Sequence, residues 1–212
     1  MGHNVAALVR LMLVTDDRLI RGRDLVQLAL CAERGGISAL QLRLKDKSAR
    51  EMANLVRALV SRLQVPVLVN DRPDIALAAG AAGAHLGPDD LPVALARRIA
   101  PAGFIIGASV GSEAEASTAG QADYWGIGPW RATATKDDAG AGLGPEGFHR
   151  LAQLAGERPC IAIGGVLPED VPAVLGSGGW GVAVVSGILG APDVETAARQ
   201  YAGQLESGAA GH

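Results

Sequence analysis

The sequence predicts an α/β fold, namely a single-domain (β/α)8 TIM barrel. Eight short apolar runs alternate with longer segments whose apolar residues recur at three- and four-residue intervals, which is the pattern of strands followed by helices. The core must be aliphatic, because 49% of the residues are apolar and only 3% are aromatic. That composition suits a parallel sheet covered on both faces. An open doubly wound sheet is the alternative.

The strands are predicted from short runs of β-branched or other apolar residues. In chain order they are LMLVT (11–15), ALQLRL (39–44), VLVN (67–70), AHLG (84–87), FIIGASV (104–110), YWGIG (124–128), CIAIG (160–164) and VAVVS (182–186). Helices are expected to begin near residues 24, 48, 73, 92, 112, 145, 168 and 194. Asp24 and Ser48 are N-cap residue types. One domain spans 1–212, with flexible ends expected at 1–10 and 206–212.

Charge and hydropathy argue against several classes of protein. A net charge of −3 gives no electrostatic reason to expect nucleic acid. No apolar run approaches the roughly 20 residues of a membrane span, and Arg10 interrupts the N-terminal run, so we expect no signal peptide. Cys31 and Cys160 are interpreted as small buried hydrophobes, not as disulfide or zinc residues. We expect a cytoplasmic protein without membrane or nucleic-acid partners.

Two predicted strands end in acidic residues. Asn70 and Asp71 end the third strand, and Asp89 and Asp90 follow the fourth. The carboxyl ends of parallel strands open onto one edge, where two carboxylates could hold a hard divalent cation. N-capping of the proline-led helices that follow is the alternative for either aspartate. Residue chemistry does not separate Asp89 from Asp90.

The second strand carries an unusual polar triplet. The strand period of two places Gln41, Arg43 and Lys45 on one face. Burying such a face is costly unless it meets a ligand or partner charges. We interpret it as a clamp for phosphate or diphosphate. An internal salt-bridge network or a frayed strand end is the alternative.

A long irregular loop, 129–144, follows the sixth strand. A loop at this end of a barrel can close over a substrate, and a solvated mobile loop is the alternative. Its polar residues add possible ligand contacts: Thr133, Thr135 and Lys136.

A second phosphate site is predicted at the last two strands. Gly164-Gly165 follows the seventh strand and Ser186-Gly187 ends the eighth, where many barrels bind phosphate through backbone N–H groups. A tight turn would also explain the paired glycines. Ser109 at the fifth strand is a ligand or an N-cap, and His85 is interpreted as packing or support.

Taken in order, these motifs resemble those of the thiamine phosphate synthase family over nearly the whole chain. They are LVTD (13–16), QLRLK (41–45), VNDRPDIAL (69–77), HLGPDDLP (85–92), IGAS (106–109), GIGP (126–129), TATK (133–136), AIGG (162–165) and VVSGI (184–188). The resemblance implies a transferase that joins 4-amino-5-hydroxymethyl-2-methylpyrimidine diphosphate to 4-methyl-5-(2-hydroxyethyl)thiazole phosphate. Pyrophosphate leaves first in this dissociative reaction, and thiamine phosphate is the other product.

The resemblance also implies residue roles. The pyrimidine diphosphate would be bound by Gln41, Arg43, Lys45, Asn70, Ser109 and Lys136, of which Arg43, Lys45, Ser109 and Lys136 would be catalytic. The thiazole phosphate and the product would be bound by Thr133, Thr135, Gly165, Val185 and Ser186. Mg²⁺ would be bound by Asp71 and Asp90, since the family spacing favours Asp90. A homo-oligomer is possible.

One position departs from the family pattern. The family usually has a histidine two positions after Ser109, where this chain has Gly111. A related thiazole tautomerase subfamily is thought to use a histidine in that region as its acid/base group, so Gly111 counts against that isomerase. It also means that some support for the synthase site must come from elsewhere. A silent barrel that binds thiazole phosphate or thiamine phosphate is the remaining alternative.

Overall fold

Eight parallel strands form a closed barrel in the computed structural model, which describes residues 5–132 and 142–209. They are β1 (Leu11–Val14), β2 (Ala39–Leu42), β3 (Val67–Asn70), β4 (Gly83–Leu86), β5 (Ile105–Val110), β6 (Tyr124–Ile127), β7 (Cys160–Ile163) and β8 (Gly181–Val184). Each strand pairs with the next, and β8 pairs with β1 through Leu11 opposite Val182. This closure confirms the predicted barrel and rules out the open sheet.

Helices surround the barrel in the predicted order. They are α1 (Val5–Leu8), α2 (Leu25–Arg34), α3 (Ala49–Val60), α4 (Pro73–Ala79), α5 (Val93–Ile99), α6 (Glu113–Thr118), α7 (Gly144–Leu154), α8 (Val171–Gly176), α9 (Ser186–Leu189) and α10 (Val194–Ala209). A 3-10 turn, Pro168–Asp170, leads into α8. The short helices α1 and α9 were not expected. The flexibility expected of the two chain ends stays a prediction, although Leu8 is buried.

Local signals set the starts of the first long helices. The Asp24 carboxylate accepts hydrogen bonds from the N–H groups of Val26 and Gln27 at the start of α2. Ser48 and Glu51 form a reciprocal capping box at the start of α3. Each arrangement satisfies N–H groups that have no partner within the helix, which confirms both predicted caps.

Two apolar layers position the strands. Outside the barrel, aliphatic side chains of the strands pack against the helices. Inside it, a smaller cluster includes Met12, Val14, Leu68, Ile105 and Tyr124. All strands run in one direction, so their carboxyl ends form a single edge, which we call the C-terminal rim. Within the described residues, no helix combines the length and apolar character needed to cross a membrane.

Candidate active site at the C-terminal rim

Two carboxylates meet at the ends of adjacent strands β3 and β4. The carboxyl group of Asp71 lies beside that of Asp90. Burial and this neighbouring carboxylate raise the pKa of Asp71 to about 6, although Lys45 and Arg43 act in the opposite direction. Asp90 is half-buried whereas Asp89 is exposed. The structure therefore brings Asp90, not Asp89, to Asp71.

Neither aspartate caps a helix, so the capping interpretation is wrong for both. Arg72 occupies the N-cap position of α4 and Pro92 that of α5, each without a side-chain cap. Asp90 instead accepts a hydrogen bond of 2.6 Å from the N–H of Gly87. Asp71 has φ +64°, a left-handed conformation that Asp tolerates better than most residues.

The cationic residues follow β2. The strand ends at Leu42, so Arg43 and Lys45 lie in the loop beyond it. Their backbone N–H groups donate to side chains of the neighbouring loop. Arg43 N–H donates to Thr15 Oγ1 at 2.8 Å, and Lys45 N–H donates to Asp17 Oδ2 at 2.6 Å. The guanidinium of Arg43 is 3.6 Å from the Asp16 carboxylate.

The two predicted polar residues of the strand ends differ in exposure. Gln41 is only 3% exposed, and its amide contacts Met12 Sδ and Tyr124 inside the barrel. Asn70 is half-buried at the end of β3, and its carbonyl oxygen accepts from the N–H of Arg72 at 2.8 Å. Gln41 therefore lies deeper in the barrel than the charged groups of the triplet.

Ser109 lies at the same rim, on β5. Its Oγ is 3.0 Å from His85 Nε2, and His85 Nδ1 is 2.8 Å from the phenol oxygen of Tyr124. His85 therefore contacts Ser109, and its interpretation as a packing or supporting residue stays a prediction. Tyr124 was missed. Its signal was a tyrosine, one of two in the chain, at the start of an otherwise apolar strand.

The predicted second phosphate site lies at the ends of β7 and β8. Gly164 and Gly165 have φ +92° and +71°, which glycine adopts without strain. Val185 is the N-cap residue of the short helix α9, and Ser186 is the first residue of that helix. The rim therefore places these residues on the strands opposite β3 and β4 in the barrel order.

The ends of the long loop are described, and its middle is not. Trp130 and Arg131 donate backbone hydrogen bonds to the carbonyl oxygens of Ile163 and Gly164 at the end of β7. Gly144 N–H donates to the Trp130 carbonyl at 3.1 Å. Three predicted site residues lie outside the described residues: Thr133, Thr135 and Lys136.

Two cavities adjoin the rim. The smaller, of about 180 Å³, lies between the loops of β4 and β5 and is lined in part by Gly87 and Ser109. The larger, of about 560 Å³, lies between the β1–α2 loop and α3. Its lining contains none of the predicted site residues, and its Lys47 and Glu51 are 3.6 Å apart. Geometry at the strand ends, not cavity size, therefore locates the candidate site.

A family model described as thiamine monophosphate synthase matches residues 11–188. The chain belongs to the thiamine monophosphate synthase family. It is 46% identical to a thiamine-phosphate synthase of Azorhizobium caulinodans over 194 residues, covering 89% of this chain and 91% of that protein. It is 45% identical to one of Methanoculleus marisnigri, covering 89% and 92%.

One solved structure supports the family assignment, and a second shares only the fold. The thiamine phosphate pyrophosphorylase of Pyrococcus furiosus superposes with a TM-score of 0.87 at 36% identity, covering 96% of this chain and 98% of that chain. A 3-hexulose-6-phosphate synthase, at 17% identity and a TM-score of 0.68, shares the fold alone. The family resemblance inferred from the ordered motifs is confirmed.

The departure at Gly111 has a local structural basis in this member of the thiamine monophosphate synthase family. A Cβ atom at this position would lie 2.9 Å from the Gly128 carbonyl oxygen. The Gly111 N–H donates to Glu115 Oε2 at 2.5 Å. A larger residue would therefore require the β5 and β6 ends to move apart.

Proposed function

We propose that this chain joins 4-amino-5-hydroxymethyl-2-methylpyrimidine diphosphate to 4-methyl-5-(2-hydroxyethyl)thiazole phosphate, with release of pyrophosphate. The synthase activity, which is a transferase activity, follows from family membership and from curated relatives that match most of the chain. The residue roles rest on one observation. At neighbouring strand ends, the carboxyl group of Asp71 is close enough to three other charged groups for each to affect its pKa: Asp90, Arg43 and Lys45.

The proposed chemistry is dissociative. The bond between the pyrimidine methylene carbon and the diphosphate oxygen breaks, and its electron pair leaves with pyrophosphate. The thiazole nitrogen then donates its lone pair to the methylene cation. No proton moves at the reacting atoms, so the protein must stabilise charge and align the two rings. Arg43, Lys45 and Lys136 would stabilise the leaving diphosphate, and Ser109 would donate a hydrogen bond to it.

The residues present fit Mg²⁺. Burial first, and then the neighbouring Asp90 carboxylate, raise the pKa of Asp71. A divalent cation would relieve the repulsion between the two carboxylates. Among residues 5–132 and 142–209, no group of three or more His, Cys, Asp or Glu could form a protein-only metal site. Mg²⁺ commonly uses one or two carboxylates with waters and substrate phosphates. When bound, it would supply charge neutralisation on the diphosphate.

The other substrate would bind across the rim. Gly165, Val185 and Ser186 lie at the ends of β7 and β8, and phosphate binding there is common in barrels. Thr133 and Thr135 of the long loop would complete this subsite. The pyrimidine of the first substrate would lie near Gln41 and Asn70, with its diphosphate directed towards Asp71 and Asp90. Two phosphorylated substrates would thus approach from opposite sides.

The test is pyrophosphate release from purified protein supplied with both substrates and Mg²⁺, with and without a chelator. We expect release that needs both substrates and stops with the chelator. Absence of release would overturn the proposed reaction. Release that the chelator leaves unchanged would overturn the metal role alone.

Two further expectations are part of the proposal. A cytoplasmic location is proposed because the chain belongs to a family of biosynthetic enzymes, and cell fractionation would test it. The sequence does not give the oligomeric state, and sedimentation of the purified protein would test for a homo-oligomer.

A further inference from the structure

A line of polar side chains crosses the apolar barrel interior and ends at the rim. It begins at Gln41 on β2, whose amide lies beside the phenol of Tyr124 on β6. Tyr124 Oη then lies 2.8 Å from His85 Nδ1, and His85 Nε2 lies 3.0 Å from Ser109 Oγ. Gln41, His85 and Tyr124 are at most 5% exposed. Buried polar groups of this kind must satisfy one another.

Glycines on the adjoining strands make room for this line. A Cβ atom at Gly107 on β5 would lie 2.4 Å from the phenol oxygen of Tyr124. A Cβ atom at Gly126 on β6 would lie 3.2 Å from His85 Cε1. Glycine inside a strand weakens it. The sequence thus accepts two weak strand positions in order to accommodate the phenol and the imidazole.

The hydrogen bonds have one favoured direction. The Tyr124 phenol lies 2.8 Å from His85 Nδ1 and 3.8 Å from Met12 Sδ, and a thioether is a weak acceptor. Burial raises the pKa of Tyr124 and keeps the phenol protonated. The Gln41 amide lowers the pKa of the phenol, so it acts on the phenol oxygen as a donor and not as an acceptor. The phenol therefore donates to Nδ1. A neutral imidazole that accepts at Nδ1 carries its proton on Nε2.

This direction of hydrogen-bond donation continues from His85 to Ser109 at the rim. His85 Nε2–H donates to Ser109 Oγ, and a hydroxyl has only one proton of its own. Because Ser109 accepts from His85, its own proton is directed to another partner. A donor oriented in advance suits an anionic oxygen, since it needs no reorganisation when charge develops.

We infer that Tyr124, acting through His85, holds the Ser109 hydroxyl as a hydrogen-bond donor towards the diphosphate substrate. Tyr124 and His85 are then positioning residues, and they supply support that Gly111 does not. This inference rests on the proposed function, in which Ser109 binds that substrate.

The first test needs no turnover. In protein labelled with ¹⁵N-histidine, we expect the NMR signal of His85 to show the neutral tautomer with the proton on Nε2. The signal is identified by its loss in His85→Gln. Tyr124→Phe should change this tautomer signature. Tyr201→Phe, which removes a different buried phenol that donates to the Val166 carbonyl at 3.0 Å, should leave it unchanged.

A proton on Nδ1, or an imidazolium, in the wild-type protein would overturn the inference. Should Tyr124→Phe fail to fold, this wild-type measurement still decides the matter. The tautomer is also independent of catalysis, so a protein that releases no pyrophosphate would refute the proposed function without affecting this result.

The second test is a double-mutant cycle on turnover. Tyr124→Phe should lower kcat about five- to tenfold and leave KM for the thiazole phosphate unchanged. In the Ser109→Ala background the same change should have no further effect on kcat, because the hydroxyl group that Tyr124 orients is already absent. Equal losses in both backgrounds would show a general structural role and overturn the inference.

Discussion

Replacing Asp71 by asparagine should separate function from folding. Asn tolerates the left-handed φ of +64° that Asp71 adopts, so the backbone should be retained. Loss of the charge removes one of two adjoining carboxylates, and at this partly exposed site we expect the free energy of unfolding without metal to stay equal or rise by about 1 kcal/mol. Loss of metal affinity should cost about 3 kcal/mol in the transition state, or about 100-fold in kcat.

The assay combines pyrophosphate release, titration of the thiazole phosphate, and urea unfolding in a chelator. The affinity for thiazole phosphate should be nearly unchanged, because its proposed subsite lies at β7 and β8. Asp71→Ala is the matched control: it removes the same charge, but a left-handed alanine should cost about 1 kcal/mol of stability relative to Asp71→Asn. A parallel fall in stability, turnover and thiazole phosphate affinity for Asp71→Asn would refute the metal-ligand role.

Two further predictions concern groups outside the site. Burial raises the pKa of the Cys160 thiol to about 12. At about pH 8 a thiol reagent should therefore react with Cys31 alone in the native protein and with both cysteines in urea. Two reactive thiols in the native protein would contradict this prediction. Burial opposes ionisation of Asp170, but hydrogen bonds from Arg131 and the Leu167 N–H lower its pKa overall. A carboxyl group whose pKa is lower in the folded state than in the unfolded state stabilises the fold at pH values above its unfolded-state pKa. This stabilisation is lost as the pH falls through its folded-state pKa. At neutral pH the free energy of unfolding of Asp170→Asn should therefore be about 1 kcal/mol lower than that of the wild type. At about pH 2 the two should be equal, as measured by urea titration. An equal difference at both pH values would count against the ion pair.

The sequence predicted much of the rim because strand ends are visible locally. Alternating strands and helices imply a closed parallel barrel, and this places Asp71 and Asp90 on one edge whatever the packing details. The polar period of QLRLK was less reliable. It placed Arg43 in the strand and extended the strand period to Lys45, whereas β2 ends at Leu42. Their N–H groups bind side chains of the preceding βα loop, and no local pattern shows that pairing.

Helix capping failed for a related reason. Proline-led helices after Asp71 and Asp90 fit a capping pattern, yet the cap position depends on backbone dihedral angles. The positive φ of Asp71 is set by the meeting of neighbouring strand ends, where its N–H donates to the His85 carbonyl at 2.8 Å. A contact between strands cannot be inferred from one segment.

The sequence by itself determined the barrel, the family and the set of charged residues at the strand ends, because each depends on local periodicity or on ordered motifs. The family spacing already favoured Asp90 over Asp89, and only the tertiary structure decided how Tyr124, His85 and Ser109 connect. Those side chains come from β4, β5 and β6 and meet inside the closed barrel. Their spacing depends on strand register and on the room left by glycines, and both exist only after the eight strands have closed.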